Sequence, residues 1–357
     1  MTKYALHLQT NNVHHNQRTS RQHDGEIMKD NLIHIALATD HRYVPGLLVT
    51  MTSMIRSTEQ KSRLRFHILA DALDDSDKMR IANFATDFGA QLPEFVEPDM
   101  TLIRERFTPY KNSHAAFLRL FLCELISLDW ILYSDVDTLW MRDISELWSL
   151  RDDSVSLLWC RDIPSIAHGV KEYSTWNPEF NESQYACSGV ALMNLKRMRE
   201  TDFINKCADF VERWGTPFFV DQDILNYVCR NDAKLLPQYW DCMMPDPEAV
   251  NGIVYHFNGI GSMFNSSFTG WRPLFYPWFR FYYDFILGEP ERQVCGITKR
   301  ALFMFLGFLY PSSWIVTMFM PRTKQKRDSI TRQLFFAWLW RKAKWRWDIN
   351  NSHSHKP

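Results

Sequence analysis

Two aspartates, Asp135 and Asp137, lie just after an apolar run at residues 130–133, with Ser134 between, and their type and spacing could support metal chemistry. A short apolar run that ends at a charge is typical of a buried strand. In open α/β sheets, ligands bind beyond the carboxyl ends of the strands, where two neighbouring carboxylates could hold a hard divalent cation. Oxygen ligands of this kind suit Mg²⁺ or Mn²⁺, and both ions bind diphosphates. The pattern predicts a metal-dependent enzyme that acts on a nucleotide-linked substrate.

The same pattern admits two other interpretations. Asp-x-Asp is short enough to occur by chance in an ordinary turn. The haloacid-dehalogenase-like phosphatases also place Asp-x-Asp after a strand, but they have Thr or Val where this chain has Leu139. They carry the motif near the start of the domain, whereas a long segment of strand and helix patterns precedes it here. A phosphatase is therefore the less favoured alternative.

The composition is that of a globular protein with many aromatic rings, since 46% of the 357 residues are hydrophobic and 15% are aromatic. A chain of this length can bury a large core as one domain or two. Lysine plus arginine equals aspartate plus glutamate at 41 each, but from Lys299 onward there are 12 basic and 2 acidic residues. An acidic body with a basic tail suggests an anionic partner for the tail.

The seven cysteines are scattered singly, without a Cys-x-x-Cys pair. An odd count without paired spacing argues against both a disulfide framework and a structural zinc site. Several lie in apolar stretches, as buried free thiols do. This usage predicts a reducing compartment.

Strand and helix patterns alternate along the chain, which predicts an α/β fold with a mainly parallel central sheet and helices on both faces. Pro45 suits the first turn of a helix, and Asp74 or Asp75 is expected to cap the next one, with Met79, Ile81 and Phe84 turned inward. The predicted strands lie at residues 32–38, 64–69, 130–133, 154–159, 189–195 and 253–256, and further helices at 114–126, where Ser113 is the expected cap, 144–148, 202–214 and from Asp221.

Seven motifs occur in order along residues 32–264. They are Ala38-Thr39-Asp40 through Tyr43, Phe66-His67-Ile68-Leu69, Phe117-Leu118-Arg119-Leu120, Tyr133-Ser134-Asp135-Val136-Asp137, Ser188-Gly189-Val190 with Asn194-Leu195, Asp221-Gln222-Asp223-Ile224-Leu225-Asn226, and His256-Phe257-Asn258-Gly259. In this set the chain resembles glycosyltransferase family 8, especially its bacterial lipopolysaccharide and lipooligosaccharide glucosyl- and galactosyltransferases. The resemblance implies a GT-A-type, Rossmann-like nucleotide-diphospho-sugar domain that uses a UDP-sugar with Mn²⁺ (or Mg²⁺) and retains the anomeric configuration.

The resemblance also implies a role for each matching residue. Asp135, Asp137 and His256 would hold the metal ion, a donor set that suits Mn²⁺. Asp221 and Gln222 would be the catalytic pair, with Asp221 recognising the sugar and Gln222 lying beneath the anomeric carbon. The implied donor-binding residues are Ala38, Thr39, Asp40, Tyr43, Arg119, Asp135, Val136, Asp137, Asp162, Ser188 and Gly259. For His256 a strand-end histidine bonded to backbone is the alternative, and for Arg119 a buried salt bridge with a protein acid.

The chain departs from the family pattern at two positions. Ala186-Cys187 stands where the family usually has Phe-Asn, and Ser262 stands where it usually has a lysine that pairs with the diphosphate. These departures leave open a catalytically weak or inactive relative that only binds a nucleotide sugar. The favoured expectation is a retaining hexosyltransferase that moves glucose or galactose to a glycan or glycolipid acceptor in lipopolysaccharide or cell-surface glycan synthesis.

The domain expectations are a disordered polar segment at residues 1–30, a GT-A domain at 31–288 and a membrane-association region at 289–357. Residues 301–320 are mostly apolar but are interrupted at Pro311, so two shallow interfacial helices or one re-entrant hairpin are favoured over a full span, and a plain buried helix is the other alternative. Residues 335–347 mix tryptophan with lysine and arginine, which favours an anionic membrane surface and not a nucleic acid. Together these features predict monotopic, peripheral attachment to the cytoplasmic face of a bacterial inner membrane.

Overall fold

The computed structural model describes residues 32–109, 113–162, 182–242 and 253–256, together with a short antiparallel pair, Gln293–Val294 and Ile297–Thr298. The chain divides into two compact units, Met1–Asn258 and Gly259–Pro357. The predicted disordered segment at 1–30 and the predicted membrane-association helices lie outside the described residues, and both stay predictions. Among the residues that are described, no helix combines the length and apolar character needed to cross a membrane.

The strands are β1 (Ile33–Asp40), β2 (Leu64–Asp71), β3 (Glu94–Val96), β4 (Trp130–Ser134), β5 (Thr138–Trp140), β6 (Leu157–Arg161), β7 (Ala186–Asn194), β8 (Ala233–Leu235) and β9 (Val254–His256). The α-helices are α1 (Val44–Arg56), α2 (Asp75–Asp87), α3 (Thr101–Arg106), α4 (Leu122–Leu125), α5 (Ile144–Trp148), α6 (Leu195–Glu200), α7 (Phe203–Trp214) and α8 (Val220–Val228). Short 3₁₀ helices span His41–Tyr43, Lys61–Arg63, Ala115–Phe121, Glu182–Gln184 and Gln238–Trp240.

Seven strands form the central sheet, in the order β3-β2-β1-β4-β7-β6-β8. Every neighbouring pair is parallel except the two that involve β7, which runs antiparallel to both β4 and β6. The prediction of a mainly parallel sheet is confirmed. Because β7 is reversed, its first residues lie at the edge of the sheet where β1 and β4 end.

Both faces of the sheet are covered. Adjacent side chains of a strand point to opposite faces, and consecutive residues of β1 such as Leu37 and Ala38 are both buried. The same holds along β4, where all five residues are buried. Continuous apolar burial is typical of a sheet that is packed between helical layers.

The ends of two helices follow the sequence signals. Pro45 lies in the first turn of α1. The side chain of Asp74 caps α2 by accepting a hydrogen bond from the Asp77 amide at 2.8 Å. The expectation that Met79 is turned inward is wrong, because it is 62% exposed. The buried line of α2 runs through Asp77, Ile81 and Ala85 at intervals of four, and Met79 falls between these positions.

The predicted helix at residues 114–126 forms mainly as a 3₁₀ helix, Ala115–Phe121, and continues as α4. The N-cap position is occupied by His114, whose side chain makes no capping bond; Ser113, the expected cap, lies one residue earlier, where its hydroxyl oxygen accepts a hydrogen bond from the Ala115 amide at 3.2 Å. The six cysteines of the described residues are all buried free thiols, in agreement with the sequence analysis.

Candidate active site

The turn between β4 and β5 carries Asp135 and Asp137. The Asp135 amide donates a hydrogen bond to the Gly189 carbonyl at 2.7 Å, which ties the turn to β7. The Thr138 hydroxyl donates to the Asp135 carbonyl at 3.0 Å and closes the turn. Helix α1 supports the same segment, because the Thr50 hydroxyl donates to the Thr138 carbonyl at 2.9 Å. The two carboxylates are therefore held on a rigid turn at the carboxyl edge of the sheet.

Strand β9 brings His256 to this turn. It pairs antiparallel with β5, and Thr138 lies opposite His256. His256 Nε2 lies 3.3 Å from Asp137 Oδ1 and 3.7 Å from Asp135 Oδ2. The aspartate pair and a histidine that is distant in sequence thus meet at one point, as the family resemblance implied.

These three side chains fit a divalent metal ion. One ligand atom from each, two carboxylate oxygens and an imidazole nitrogen, lie within 4.8 Å of one another. The side chains of Asp135 and Asp137 are 26% and 23% exposed, whereas that of His256 is 3% exposed. The imidazole therefore closes the protein side of the cluster, and the carboxylates leave the opposite side open to a ligand. A set of two carboxylates and one imidazole suits Mn²⁺.

Charge around the cluster is strongly negative. Burial alone would lower the pKa of His256, but the carboxylates of Asp241 and Asp137 raise it well above its usual value. A positive charge at this position is favoured by carboxylates on both sides of the ring. A divalent cation at this position would be stabilised by the same negative charges.

The two oxygens of Asp135 have different partners. Oδ1 accepts hydrogen bonds from Arg119 Nη2 at 2.7 Å and from the Tyr133 hydroxyl at 2.9 Å. Oδ2 faces His256. One oxygen is thus fixed by protein donors, and the other is directed to the cluster.

Arg119 lies at the centre of a buried polar network. Its side chain is 5% exposed, and Nε lies 2.9 Å from Asp221 Oδ2. Nη1 donates to the Ser188 carbonyl at 2.7 Å, and the guanidinium stacks over Tyr133 with 4.3 Å to the ring centre. Burial opposes its charge, but Asp135 and Asp221 raise the pKa of Arg119 above its ordinary value. The buried salt bridge that the sequence analysis left open is present, and it connects the turn that carries Asp135 and Asp137 to α8.

Asp221 lies in the first turn of α8, where an acid is favoured. Its Oδ2 accepts a hydrogen bond from the Ser188 hydroxyl at 3.0 Å. Burial raises the pKa of Asp221 to about 6, against the opposing effect of Arg119. The preceding Val220 has a positive φ of 37°. A β-branched residue rarely adopts this conformation, and such strain is frequent at ligand sites.

The Gln222 side chain is oriented by three groups. Its Nε2 donates to Asp162 Oδ2 at 2.6 Å and to the Tyr185 hydroxyl at 3.2 Å. Its Oε1 accepts from the Ser188 amide at 3.1 Å. These partners fix which end of the amide is which, because a carboxylate requires a donor and a backbone N–H requires an acceptor. Among the described residues the carbonyl of Gln222 has one partner, which leaves its second lone pair for a ligand.

The first residues of β7 are tied to α8. Asn226 pairs with both backbone groups of Ala186, accepting from its amide and donating to its carbonyl at 2.8 Å each. The Tyr185 hydroxyl donates to Asp223 Oδ1 at 2.5 Å. The reversed strand is thereby fixed where Ser188 must face Asp221 and Gln222.

Replacing Asn226 with Ala is expected to destabilise the fold by about 1–3 kcal/mol, because it leaves the buried amide and carbonyl of Ala186 without partners. Chemical denaturation of the full chain would measure the change. Replacing the exposed Asn231 with Ala is the matched control and should change stability by less than about 0.5 kcal/mol. An Asn226→Ala protein that unfolds at the wild-type denaturant concentration would contradict this account.

The implied nucleotide-binding residues lie at the same edge of the sheet. Strand β1 pairs with β4 up to Leu37, opposite Ser134, and then continues through Ala38, Thr39 and Asp40. Asp40 is bonded to Arg42 through both carboxylate oxygens, at 2.9 Å to the amide and 2.7 Å to Nη2. These bonds shape the short 3₁₀ helix that carries Tyr43.

The remaining implied residues are distributed as follows. Val136 is buried between the two aspartates, and Asp162 is buried beside Gln222. Gly259 and Ser262 lie outside the described residues.

Gly189 allows the imidazole to approach the strand closely. A Cβ atom at this position would lie 2.1 Å from Cε1 and 2.7 Å from Nδ1 of His256. Replacing Gly189 with Ala must therefore displace the ring, and overpacking of this kind costs about 1–3 kcal/mol. We expect a folded variant with weaker Mn²⁺ binding, measured by electron paramagnetic resonance of the free ion, with circular dichroism as the check on folding. Wild-type Mn²⁺ affinity in Gly189→Ala would contradict the position assigned to His256.

Four residues of the network were not predicted to have a role in the site: Tyr185, Asp223, Asn226 and Asp241. Asp223 and Asn226 belong to a motif that the sequence analysis identified. Their closeness to Gln222 in the sequence could have indicated a role in the site. Asp241 lies in an apolar stretch between Trp240 and Cys242, where a carboxylate needs a partner. That requirement was its one signal in the sequence.

Comparison with known proteins agrees with this geometry. The chain matches the family described as Glycosyl transferase family 8 over residues 34–260. It is 26% identical over 216 residues to a lipopolysaccharide 1,2-glucosyltransferase of Escherichia coli strain K12, a match that covers 58% of this chain and 62% of that protein. It is 30% identical over 251 residues to glucoside xylosyltransferase 1 of Mus musculus, covering 63% of this chain and 59% of the relative. The chain thus spans less than two thirds of the length of each of these relatives.

The fold is shared with a solved structure of the galactosyltransferase LgtC in complex with donor and acceptor sugar analogues. The TM-score is 0.56 at 22% identity, and the match covers 64% of this chain and 87% of LgtC. The fold is thus GT-A-like, and the haloacid-dehalogenase-like alternative is not supported. Because the family match extends over more than half of the sequence, the chain belongs to glycosyl transferase family 8.

Proposed function

We propose that this protein is a retaining, Mn²⁺-dependent hexosyltransferase that moves glucose or galactose from a UDP-sugar to a glycan or glycolipid acceptor. The observation that carries the proposal is the meeting of Asp135, Asp137 and His256 at the carboxyl edge of the sheet. The end of β1, with Asp40 and Tyr43, lies at the same edge. This combination of a metal-ligand cluster and a strand-end loop suits a nucleoside diphosphate.

The three ligand residues would hold the ion through Asp135 Oδ2, a carboxylate oxygen of Asp137 and His256 Nε2. When bound, the ion would offset the negative charge that develops on the departing diphosphate. Arg119 would not contact the ion itself. It donates a hydrogen bond to Asp135 Oδ1, so that Oδ2 stays directed toward the ion. This arrangement needs no reorganisation when the donor binds, which favours catalysis.

The sugar would lie against Ser188, Asp221 and Gln222. The Gln222 carbonyl is oriented before the donor arrives, and its dipole can stabilise the positive charge that develops on the sugar ring. Asp221 is buried and engaged by Arg119 and Ser188, which makes it unsuited to attack the sugar. We therefore favour attack of the acceptor hydroxyl from the side of the leaving group, with a diphosphate oxygen taking its proton. A double displacement through a protein nucleophile is the alternative route.

The choice of glucose or galactose rests on the named relatives, a lipopolysaccharide glucosyltransferase and a galactosyltransferase. The acceptor is proposed on the same basis to be a lipopolysaccharide or cell-surface glycan. The buried free thiols agree with a cytoplasmic location. We propose peripheral attachment to the inner face of a bacterial membrane through the basic and aromatic tail at residues 289–357.

A nucleotide-sugar-binding protein with little or no turnover is the second candidate. It is favoured by Cys187, which replaces the expected amide and lies against His256 with Sγ 3.6 Å from Nδ1. Such a protein would bind the donor without releasing UDP.

The test is incubation of the full-length protein with Mn²⁺ and each of UDP-glucose, UDP-galactose, UDP-xylose and UDP-N-acetylglucosamine. The proposal predicts release of UDP from UDP-glucose or UDP-galactose, and loss of release when a chelator removes the ion. Proton NMR of the first sugar formed should show the α anomer, since the configuration is retained. Donor binding without UDP release would favour the second candidate, and a β anomer would overturn the retaining mechanism.

A further inference from the structure

Asp241 is a fully buried carboxylate on the far side of the His256 ring from the aspartate pair. It has 0% exposure, and its Oδ1 lies 3.0 Å from His256 Nδ1. Within the described residues its other oxygen, Oδ2, has no hydrogen-bond partner. A buried carboxylate is costly unless it is paired. The His256 imidazole is therefore the group that pairs with this buried carboxylate.

The backbone fixes Asp241 in this position. The next residue, Cys242, is bonded to the strand that carries the histidine: its amide donates to the Val254 carbonyl at 2.9 Å, and the His256 amide donates to the Cys242 carbonyl at 3.0 Å. The Gln238 side chain also donates to the Asp241 carbonyl at 2.8 Å. These bonds hold the backbone segments that carry Asp241 and His256 together, so the two side chains stay within reach of each other.

The other neighbours of the ring restrict it without orienting it. Gly189 limits its movement toward β7, since a Cβ there would clash with the ring. Cys187 Sγ is 3.6 Å from Nδ1, a longer and weaker contact than that of Asp241. Asp241 is therefore the strongest acceptor at Nδ1.

We propose that Asp241 is a positioning residue for the metal site: it accepts the Nδ1–H of His256 and so directs the Nε2 lone pair to Asp135 and Asp137. This inference rests on the metal site of the proposed function. A neutral histidine carries one ring proton, and the partner of one nitrogen decides which nitrogen is free to bind a metal. Carboxylate partners of this kind also fix the ring and raise its basicity as a ligand.

The decisive variant is Asp241→Asn, which keeps the size and shape of the side chain. An asparagine amide can either donate a hydrogen bond to Nδ1 or accept one from it. The variant side chain therefore no longer favours the ring form with the proton on Nδ1. We expect Mn²⁺ affinity of the full-length protein to fall about 10-fold in Asp241→Asn and up to about 100-fold in Asp241→Leu. Asp232→Asn, which removes a carboxylate paired with Arg197 beside β6 and β8, is the matched control and should keep wild-type affinity.

Nitrogen-15 NMR of the histidine rings in the Mg²⁺-loaded protein gives a second readout. The inference predicts a proton on Nδ1 of His256 in the wild type and a mixture of the two neutral forms in Asp241→Asn. A purely structural role of Asp241 would change neither the ring proton nor the ion affinity of a folded variant.

The outcomes distinguish a failure of the proposed metal site from a failure of the positioning role of Asp241. If the wild-type protein does not bind Mn²⁺, the proposed metal site fails. If the wild type binds Mn²⁺ and folded Asp241→Asn binds it equally well with an unchanged ring proton, the positioning role is overturned. Because Asp241→Asn preserves the packing, the test does not depend on whether Asp241→Leu folds.

Discussion

Replacing Asp137 with Asn is expected to reduce UDP release from the preferred UDP-sugar by about 1,000-fold or more, while the protein remains folded. Asp137 is one of the three side chains of the proposed metal site, and its Oδ1 lies 3.3 Å from His256 Nε2. Loss of several kcal/mol of transition-state stabilisation corresponds to about this reduction in rate. Asparagine keeps the shape of the side chain and an oxygen that can face His256 Nε2, so we expect the variant to fold.

The effect is measured as the rate of UDP release at saturating Mn²⁺, together with the affinity for the ion. Asp152→Asn is the matched control, because Asp152 forms an exposed pair with Lys234 at 2.5 Å, away from the proposed ligands. Exposed ion pairs contribute less than about 1 kcal/mol, so this variant should keep wild-type activity. If Asp137→Asn released UDP at the rate of the control, the proposed metal site would be wrong.

Replacing Arg119 with Met is expected to destabilise the protein by about 3–5 kcal/mol, because it leaves buried acidic groups without their cation. Asp221 is 3% exposed and loses its only cationic partner described by the structure, at 2.9 Å. Asp135 loses a donor at 2.7 Å. We expect UDP release to be lost as well, since both the turn that carries Asp135 and Asp137 and the side chain of Asp221 lose their orientation. Lysine should not rescue the site, because one ammonium cannot reproduce the planar fork of the guanidinium.

Chemical denaturation of the single and double variants checks this explanation. The double variant Arg119→Met/Asp221→Asn should recover part of the stability that the single variant loses, because a buried charge is removed together with its partner. Arg142→Met breaks an exposed pair with Glu146 and should cost less than about 1 kcal/mol. An Arg119→Met protein as stable as wild type, or a double variant no more stable than the single one, would rule out this role for Arg119.

The local parts of the site could be predicted from the sequence. The apolar run before Asp135 predicts a strand, and the abrupt change to charge marks its end, so the carboxylate pair was placed correctly at the edge of the sheet. The cap of α2 at Asp74 follows from equally local signals. Such features depend on a few neighbouring residues, which is why hydrophobic pattern and residue type suffice.

The long-range parts could not be predicted from pattern alone. Nothing in the periodicity of β7 reveals that it runs against its neighbours, yet this reversal brings Ser188 to the edge where β4 ends. The place of His256 beside Asp137 was expected because of the family motif and not from any local pattern. It depends on the pairing of β9 with β5, which joins segments more than a hundred residues apart.

The partners of buried charges were the least predictable. The apolar surroundings of Arg119 indicated that it needs an anion, but the sequence could not distinguish a substrate phosphate from a protein carboxylate. The structure places Asp135 and Asp221 there. For Asp241 the sequence offered no motif, because its role arises from the strand that carries His256.

The most direct measurement of the central claim is calorimetric titration of UDP into the full-length protein with and without Mn²⁺. If Asp135, Asp137 and His256 hold an ion that binds the diphosphate, Mn²⁺ should tighten UDP binding by about 10- to 100-fold in the wild type and have little effect in Asp137→Asn. Equal UDP affinity with and without Mn²⁺ in the wild-type protein would contradict the account.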